Sequence, residues 1–166
     1  MPAEFDMDDI SIKVLNDINP DITLELKKLE ISNLGRSASI NEWVIPVFIK
    51  YGKIIVAVKN TGKSPGQKEK IIAVNELIRK WDDPGTVFIH SFYVKKSFRK
   101  KGIGSLLLKE SIRIMKEEKI KKIELTVDPG NFQAIRLYKK FDFEKTDYIE
   151  NLYGEGIHRD LMTCRI

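Results

Sequence analysis

The chain has 166 residues, which is the length of one ordinary domain. Apolar residues make up 42% of it and charged residues 32%, so the composition is that of a soluble globular protein and argues against global disorder. The net charge of +5 indicates an anionic partner, but it does not choose among a nucleic acid, a membrane surface and a small phosphorylated ligand.

No apolar run approaches the roughly 20 residues that a membrane span needs, and the acidic N-terminus lacks a secretory signal pattern. We therefore expect a cytoplasmic protein with no membrane partner. The single cysteine, Cys164, allows no disulfide within the chain, and His90 and His158 lie far apart in sequence. We expect no metal site.

Near the N-terminus, apolar residues alternate with polar ones over residues 10–14 and predict a strand. Asn19 followed by Pro20 is a typical helix start, and apolar residues at helical spacing predict a helix that ends at Gly35. A second, short helix is predicted over residues 41–47, close to Pro46.

The middle of the chain reads as strands separated by turns. Residues 53–58 and 70–77 are rich in Ile and Val and are predicted to be antiparallel neighbours, joined by a mobile, turn-prone stretch over residues 60–67. Residues 82–85, Asp-Asp-Pro-Gly, form a turn by their chemistry, and a buried strand is predicted over residues 86–94.

After this strand, the spacing of apolar residues changes from every second residue to every third or fourth. A helix with one apolar face is predicted from Ser105 onward, followed by a strand over residues 123–127, a turn at residues 128–131, and a helix through Phe141. Final strands are predicted at residues 143–148 and 160–166. The order predicts an α/β fold whose mixed sheet contains a strand-helix-strand crossover.

The most informative segment lies between the strand that ends at Val94 and the helix that follows it. Five of the seven residues from Lys95 to Lys101 are basic. Gly102 and Gly104, which follow them, let backbone N–H groups approach a ligand. The helix N-terminus and the basic side chains favour an anion such as a pyrophosphate. The segment comprises Arg99, Lys100, Lys101, Gly102, Ile103, Gly104 and Ser105.

The glycine spacing of this segment also bears on two other kinds of phosphate-binding loop. It lacks the G-K-[ST] ending of a nucleoside triphosphate loop and the third glycine of a dinucleotide fingerprint, which disfavours both ligands. A plain strand-to-helix turn with a solvated basic rim remains an alternative.

The pattern R-x-x-G-x-G after a strand resembles the acetyl-CoA signature of the GNAT acetyltransferases. About thirty residues on, a second segment resembles that family's N-x-x-A-x-x-L-Y-x-K-x-G-F pattern, through Asn131, Ala134, Leu137, Tyr138, Lys140, Phe141 and Phe143. The resemblance covers residues 88–143. Asp142 stands where the family usually has glycine, and because Asp tolerates left-handed backbone we expect the turn to survive.

The resemblance implies one N-acetyltransferase domain over residues 1–166. Its sheet would be mixed and mostly antiparallel, flanked by helices, with a splayed cleft for acetyl-CoA, the acetyl donor. The exposed backbone of Phe92, Tyr93 and Val94 would pair with the pantetheine arm, as an open strand edge can. Arg99 to Ser105 would hold the pyrophosphate, and Asn131 would contact the pantetheine arm.

The resemblance also assigns chemical roles. The backbone N–H of Val94 would polarise the thioester carbonyl, and the Tyr138 hydroxyl would donate a proton toward the CoA sulfur. Without the resemblance, Tyr138 would read as a core residue of an amphipathic helix.

The proton acceptor is less well defined, because many GNAT enzymes carry Glu where this chain has Phe88. His90 lies on the same predicted strand face, and imidazole titrates near neutrality, so His90 is one candidate. Glu76, working through water, is a second. A histidine hydrogen-bonded inside the sheet is the structural alternative for His90.

The acceptor is expected to be a primary amine, on a protein N-terminus, a polyamine or another small molecule, acetylated directly in a ternary complex. Residues 148–162 weakly resemble the tail of enzymes that acetylate protein N-termini, including those of ribosomal proteins. The expected acceptor surface combines the N-terminal helices with a late loop that carries Tyr148, Glu150, Tyr153, Glu155 and His158. An ordinary exposed hairpin is the alternative for that loop.

Two other functions stay open at this point. A non-catalytic acyl-CoA-binding regulatory module would explain Phe88, and a nucleic-acid-binding domain would use the basic cluster from Lys95 to Lys101. Because the positive charge gathers around one glycine loop, we expect no nucleic acid partner. The protein is expected to be a monomer or a homodimer.

Overall fold

The computed structural model describes residues 6–36, 38–60 and 69–166. Nearly all of the stretch that was predicted to be mobile, residues 61–67, lies outside these ranges. The described elements, in chain order, are β1 (Ile10–Leu15), α1 (Pro20–Leu34), α2 (Ile45–Tyr51), β2 (Lys53–Asn60), β3 (Glu69–Arg79), β4 (Thr86–Val94), a 3-10 turn (Lys96–Phe98), α3 (Ile103–Glu117), β5 (Lys122–Val127), α4 (Phe132–Lys139), β6 (Glu144–Ile149) and β7 (Arg159–Arg165).

The strands form one seven-stranded sheet in the order β1-β2-β3-β4-β5-β7-β6. The pairs β1 with β2, β5 with β7, and β6 with β7 are antiparallel, whereas β4 and β5 are parallel and are connected through α3. This parallel pair is the predicted strand-helix-strand crossover. The predicted fold class, a mixed and mostly antiparallel sheet flanked by helices, is confirmed.

Backbone contacts divide the chain into two compact units, which are described separately here. The first unit contains Met1–Glu76 and Ser91–Leu107, and the second contains Leu77–His90 and Leu108–Ile166. Among the helices of the described ranges, none is long and apolar enough to cross a bilayer.

In the first unit, α1 begins as its sequence predicts. The Asn19 side chain accepts a hydrogen bond from the Asp21 amide at 2.8 Å, which satisfies one of the amides that a helix start leaves without a partner. Leu26 and Leu29 face the core, and the helix ends at Gly35, whose φ is 85°. The core of this unit consists of Leu26, Leu29, Ile45, Phe48, Ile49, Ile54, Val56, Val58, Ile71, Val74 and Tyr93.

The prediction of the second helix was wrong in its bounds. We expected residues 41–47, with Pro46 near the end, but α2 runs from Ile45 to Tyr51 and Pro46 lies in its first turn. A proline in the first turn costs little, because its missing N–H would have had no acceptor inside the helix. Pro46 therefore begins this helix and does not end it.

In the second unit, β5 shows the alternation of a strand with one buried face. Ile123, Leu125 and Val127 are buried, and the residues between them are half-buried. The turn before β4 forms as predicted, since the Thr86 amide donates to the Asp83 carbonyl at 2.8 Å. Outside β5, Leu108, Met115 and Phe143 are among the fully buried side chains of this unit.

Candidate active site

At the end of β4, successive backbone groups face β3 and the opposite side in turn. The Lys95 amide donates to the Ile72 carbonyl of β3 at 2.8 Å, and because successive amides in a strand point to opposite sides, the Val94 backbone is directed away from β3. In the described register, pairing with β5 runs from Thr86 to Ile89, whereas β4 continues to Val94. Phe92, Tyr93 and Val94 therefore follow the residues that this register pairs with β5.

The segment after β4 turns sharply into α3. Lys100 and Gly102 have φ values of 61° and 82°, in the left-handed region. The Leu106 amide donates to the Gly102 carbonyl at 3.0 Å, so Gly102 immediately precedes the first helical turn. The amides of Ile103, Gly104 and Ser105 consequently have no acceptor within the helix, and they are available to an anion.

The side chains of this segment add positive charge. Arg99, Lys100 and Lys101 are exposed, and the Lys101 ammonium lies 5.7 Å from the centre of the Phe98 ring. The Arg99 Nε donates to the Val94 carbonyl at 2.9 Å, which holds the guanidinium against the strand end. Backbone donors, a helix start and fixed cations converge here, so the residues present fit a pyrophosphate-bearing cofactor.

The Tyr93 side chain, near the end of β4, lies in the core of the first unit. Burial raises the pKa of the Tyr93 hydroxyl far above its usual range, and the negative charges of Glu30 and Glu76 raise it further. Both carboxylates are completely buried. Glu76, the second candidate for proton acceptor, therefore lies beside a tyrosine and away from solvent.

In the second unit, α4 begins at a capping asparagine. The Asn131 side chain accepts a hydrogen bond from the Ala134 amide at 3.1 Å, so its oxygen stabilises the helix start. The carboxamide N–H groups of Asn131 take no part in that bond. They are the groups with which Asn131 could contact a cofactor.

Tyr138 is buried on the inner face of α4. Its side chain is 7% exposed, and its ring lies 5.6 Å from that of Phe143, centre to centre, in a tilted arrangement. Burial raises the pKa of the Tyr138 hydroxyl well above its usual range. A tyrosine hydroxyl is protonated at neutral pH in any case, and burial here strengthens its hold on the proton.

The turn after α4 survives the departure from the family pattern. Asp142 has a φ of 60°, in the left-handed region where Asp is tolerated. The Asp142 amide donates to the Lys139 carbonyl at 3.3 Å, and the Phe143 amide donates to the Tyr138 carbonyl at 3.2 Å. The expectation for this turn is confirmed.

The outer face of β4, the one less buried, carries Phe88 and His90. Phe88 is half-buried and His90 is exposed, while the residues between and beside them are buried. Phe88 pairs with Glu124 of β5 in the parallel register, so Glu124 lies on the same face as Phe88 and His90. The Lys122 ammonium lies 3.0 Å from the Glu124 carboxylate and balances its charge.

Sequence reasoning did not single out Glu124. The signal was present, because Glu124 is the polar residue between two buried ones in an alternating strand. The strand register was required to show which residue it opposes.

The late loop between β6 and β7 is held by aromatic and polar contacts. The rings of Tyr148 and His158 stack with their centres 5.8 Å apart, and the Asn151 amide donates to His158 Nδ1 at 3.3 Å. The Tyr153 hydroxyl lies 3.1 Å from Thr126 Oγ1 of β5. Glu150 and Glu155 are exposed, so this loop combines exposed carboxylates with ordered aromatic rings.

Within the described ranges, no group of three His, Cys, Asp or Glu side chains is placed to hold a metal ion. Cys164 is buried and its Sγ donates to the Phe141 carbonyl at 3.2 Å. Burial also raises the pKa of the Cys164 thiol, which disfavours the reactive thiolate.

The predicted site residues are distributed between the two units. The first unit holds Glu76 and the cofactor residues Phe92, Tyr93, Val94, Arg99, Lys100, Lys101, Gly102, Ile103, Gly104 and Ser105, and these last seven form the turn described above. The second unit holds His90, Asn131 and Tyr138.

Known proteins resemble this chain in sequence and in fold. The model of the Acetyltransferase (GNAT) family matches residues 35–143. An N-alpha-acetyltransferase of Sulfolobus acidocaldarius is 37% identical over 77 residues, which cover 46% of this chain and 46% of that protein. A probable spermine N(1)-acetyltransferase of Bacillus subtilis subsp. natto is 38% identical over 61 residues, 36% of this chain and 40% of that protein. The chain thus matches less than half the length of each.

Solved structures share the fold. Ard1 from Thermoplasma volcanium superposes with a TM-score of 0.76 at 18% identity, covering 95% of this chain and 98% of that one. A GNAT family acetyltransferase from Elizabethkingia anophelis with acetyl-CoA bound superposes with a TM-score of 0.69 at 22% identity, covering 96% of this chain and 99% of that one. At this identity the similarity concerns the fold alone. Since the family model spans most of the chain and includes both motif segments, the chain belongs to the GNAT family of acetyltransferases.

Proposed function

We propose that this protein is an acetyl-CoA-dependent N-acetyltransferase, a single catalytic domain that moves an acetyl group directly to a primary amine in a ternary complex. The observation that carries the proposal is the turn from Arg99 to Ser105. There, left-handed Lys100 and Gly102 present the first amides of α3 beside a fixed guanidinium. A similar fold that holds acetyl-CoA supports the choice of ligand.

Coenzyme A combines a pyrophosphate with an extended arm that contains amides, and its thioester would supply the acetyl group. The amides of Ile103, Gly104 and Ser105 would bind the pyrophosphate, with Arg99 and the two lysines contributing charge. Phe92 and Val94, whose backbone groups face away from β3, would pair with the arm through the strand edge, and Tyr93 lies between them. Asn131 would use its carboxamide N–H groups for a further contact to the arm.

The reaction needs one group that accepts a proton and one that donates a proton. An ammonium group must lose a proton before its nitrogen can act as a nucleophile, and exposed His90 on the outer face of β4 is the preferred acceptor. Tyr138 carries a proton at its hydroxyl, as tyrosines do below their ordinary pKa of about 10, and burial raises that pKa further. Glu76 could act only through a buried water, since its side chain is completely buried.

For the acceptor we favour the N-terminus of a protein. The late loop offers exposed Glu150 and Glu155 to the cationic amine of the acceptor. The stacked rings of Tyr148 and His158 could contact the first side chains of the acceptor peptide. The name of the relative from Sulfolobus acidocaldarius supports this class. The name of the relative from Bacillus subtilis subsp. natto makes a polyamine the second candidate.

Calorimetry with CoA and acetyl-CoA, followed by a thiol-release assay, tests the proposal. The acceptor panel contains peptides with free N-termini, spermine and an aminoglycoside. We expect saturable cofactor binding that oligonucleotides do not displace at physiological salt, and CoA release that depends on one acceptor class. Tight binding without turnover on any acceptor would favour the non-catalytic acyl-CoA-binding module. Absence of cofactor binding would remove the proposal altogether.

A further inference from the structure

The C-terminal turn of α1 places one carboxamide against the cofactor segment. Asn33 Nδ2 donates to the Leu29 carbonyl at 2.8 Å and contacts Ser32 Oγ at 3.2 Å. These two bonds fix which side of the amide carries the nitrogen. The carboxamide oxygen is thereby turned outward, where it accepts a hydrogen bond from Arg99 Nη2 at 3.4 Å.

Arg99 is thus held at two points that are far apart in sequence. Its Nε donates to the Val94 carbonyl at 2.9 Å, and its Nη2 donates to Asn33. A guanidinium has five N–H groups in one plane, so these two bonds leave three for an anion. Because Arg99 is otherwise an exposed and flexible side chain, holding it reduces the conformational entropy that binding would cost.

The support itself is rigid. One turn earlier on α1, the buried Glu30 carboxylate accepts the Ile40 amide at 3.0 Å, which ties the helix to the segment that follows it. Leu26 and Leu29 fix the same helix in the core. Asn33 therefore projects from a helix that is packed on one side and tethered at its end.

We infer that Asn33 is a positioning residue for cofactor binding, which acts by holding the Arg99 guanidinium in an orientation that suits a phosphate group. This inference rests on the proposed function. It adds a residue from α1, a part of the chain outside both sequence motifs. Asn33 does not touch the cofactor in this proposal, so its effect must pass through Arg99.

A double-mutant cycle tests that dependence. CoA dissociation constants are measured by calorimetry for the wild type, Asn33→Ala, Arg99→Ala and the double variant. We expect Asn33→Ala to weaken binding about 3- to 10-fold and Arg99→Ala to weaken it more. In the Arg99→Ala background, the Asn33 substitution should change the constant less than about twofold, because neighbouring residues that act together are not additive.

Two controls separate positioning from a general structural role. Ser32→Ala removes one partner of the Asn33 amide without touching Arg99, and it should leave CoA affinity within about twofold. The loss caused by Asn33→Ala should shrink as salt rises, since screening weakens the Arg99 contribution itself. Asn33→Ser provides a second variant if the alanine variant does not fold, because serine is too short to reach Arg99.

The outcomes are distinct. Additive effects of the two substitutions, or an Asn33→Ala variant that binds CoA like the wild type, would overturn the inference while leaving the proposed function intact. A wild type that does not bind CoA would instead refute the proposed function.

Discussion

The Phe143 amide donates a hydrogen bond to the Tyr138 carbonyl at 3.2 Å. This bond caps the C-terminus of α4 and spans the turn that contains Asp142. The bond requires the intervening backbone to turn left-handed, and Asp142 does so with a φ of 60°. An L-residue adopts this conformation at a cost that glycine does not have. The helix that carries Tyr138 is therefore ended by a residue that is tolerated at this position but not ideal.

Replacing Asp142 with glycine should stabilise the protein by about 0.5 to 1 kcal/mol, because relief of the left-handed strain exceeds the added freedom of the unfolded chain. Urea unfolding measures the change. Lys139→Gly, within α4, is the matched control and should destabilise by about 1 kcal/mol. An Asp142→Gly variant less stable than the wild type would show that the aspartate side chain contributes more than its backbone costs.

Gly102 should be required for its φ and not for space. A Cβ added at Gly102 meets nothing within 4 Å, but its φ is 82°, so Gly102→Ala should cost about 1 to 2 kcal/mol and weaken CoA binding. Gly85→Ala is the control, since the added Cβ would lie 3.5 Å from Asp83 Oδ1, in ordinary contact. Thermal unfolding measures stability and calorimetry measures CoA affinity. Equal losses of stability and affinity in the two variants would contradict a special role for the backbone conformation of Gly102.

The parts of the fold that the sequence predicts are those set by local chemistry. The Asn19 cap, the Gly35 stop and the alternation of β5 each act within a few residues, and the predicted elements match the observed ones there. The second helix was displaced because Pro46 was interpreted as a signal near the helix end, whereas it lies in the first turn, where local rules favour proline.

The contacts that complete the candidate site are long-range. Asn33 and Arg99 are 66 residues apart, and Phe88 opposes Glu124 only through the parallel register. No local period predicts such pairs, because they depend on how helices and strands are arranged in the sheet. The two motif segments were recognisable because glycines, a helix start and a capping asparagine form a local pattern.

Tyr93 should make stability fall at alkaline pH. Burial, with the charges of Glu30 and Glu76, raises the pKa of Tyr93 in the folded state, so its contribution is complete below the unfolded value of about 10. Above that pH the unfolded chain loses the proton and the folded one keeps it. This difference lowers the free energy of unfolding by about 1.4 kcal/mol per pH unit.

Tyr93→Phe should therefore flatten the pH dependence of unfolding between about pH 10 and 11.5 by the equivalent of one proton. Tyr51→Phe, at a side chain that is 79% exposed, is the control and should leave the slope unchanged. Guanidinium unfolding at a series of pH values measures both. Identical slopes for the wild type and Tyr93→Phe would mean that Tyr93 ionises equally in the two states.

His90 can be tested against the only other histidine of the chain. If exposed His90 accepts the amine proton, His90→Gln should lower kcat/KM by about 10²-fold at neutral pH and abolish the acidic limb of its pH profile. His158→Gln, which alters the late loop, should retain that limb. A His90→Gln profile that keeps the wild-type limb would assign the proton to another group, such as Glu124 or Glu76.

Tyr138→Phe removes one hydroxyl and keeps the ring that packs against Phe143. If the hydroxyl gives its proton to the departing thiolate, its loss should lower kcat by about 10²-fold while the CoA dissociation constant stays close to that of the wild type. Tyr148→Phe, at an exposed tyrosine of the same unit, should keep kcat within about threefold. Unchanged turnover in Tyr138→Phe would reduce Tyr138 to a packing residue, and the proton on the departing thiolate would then have to come from solvent.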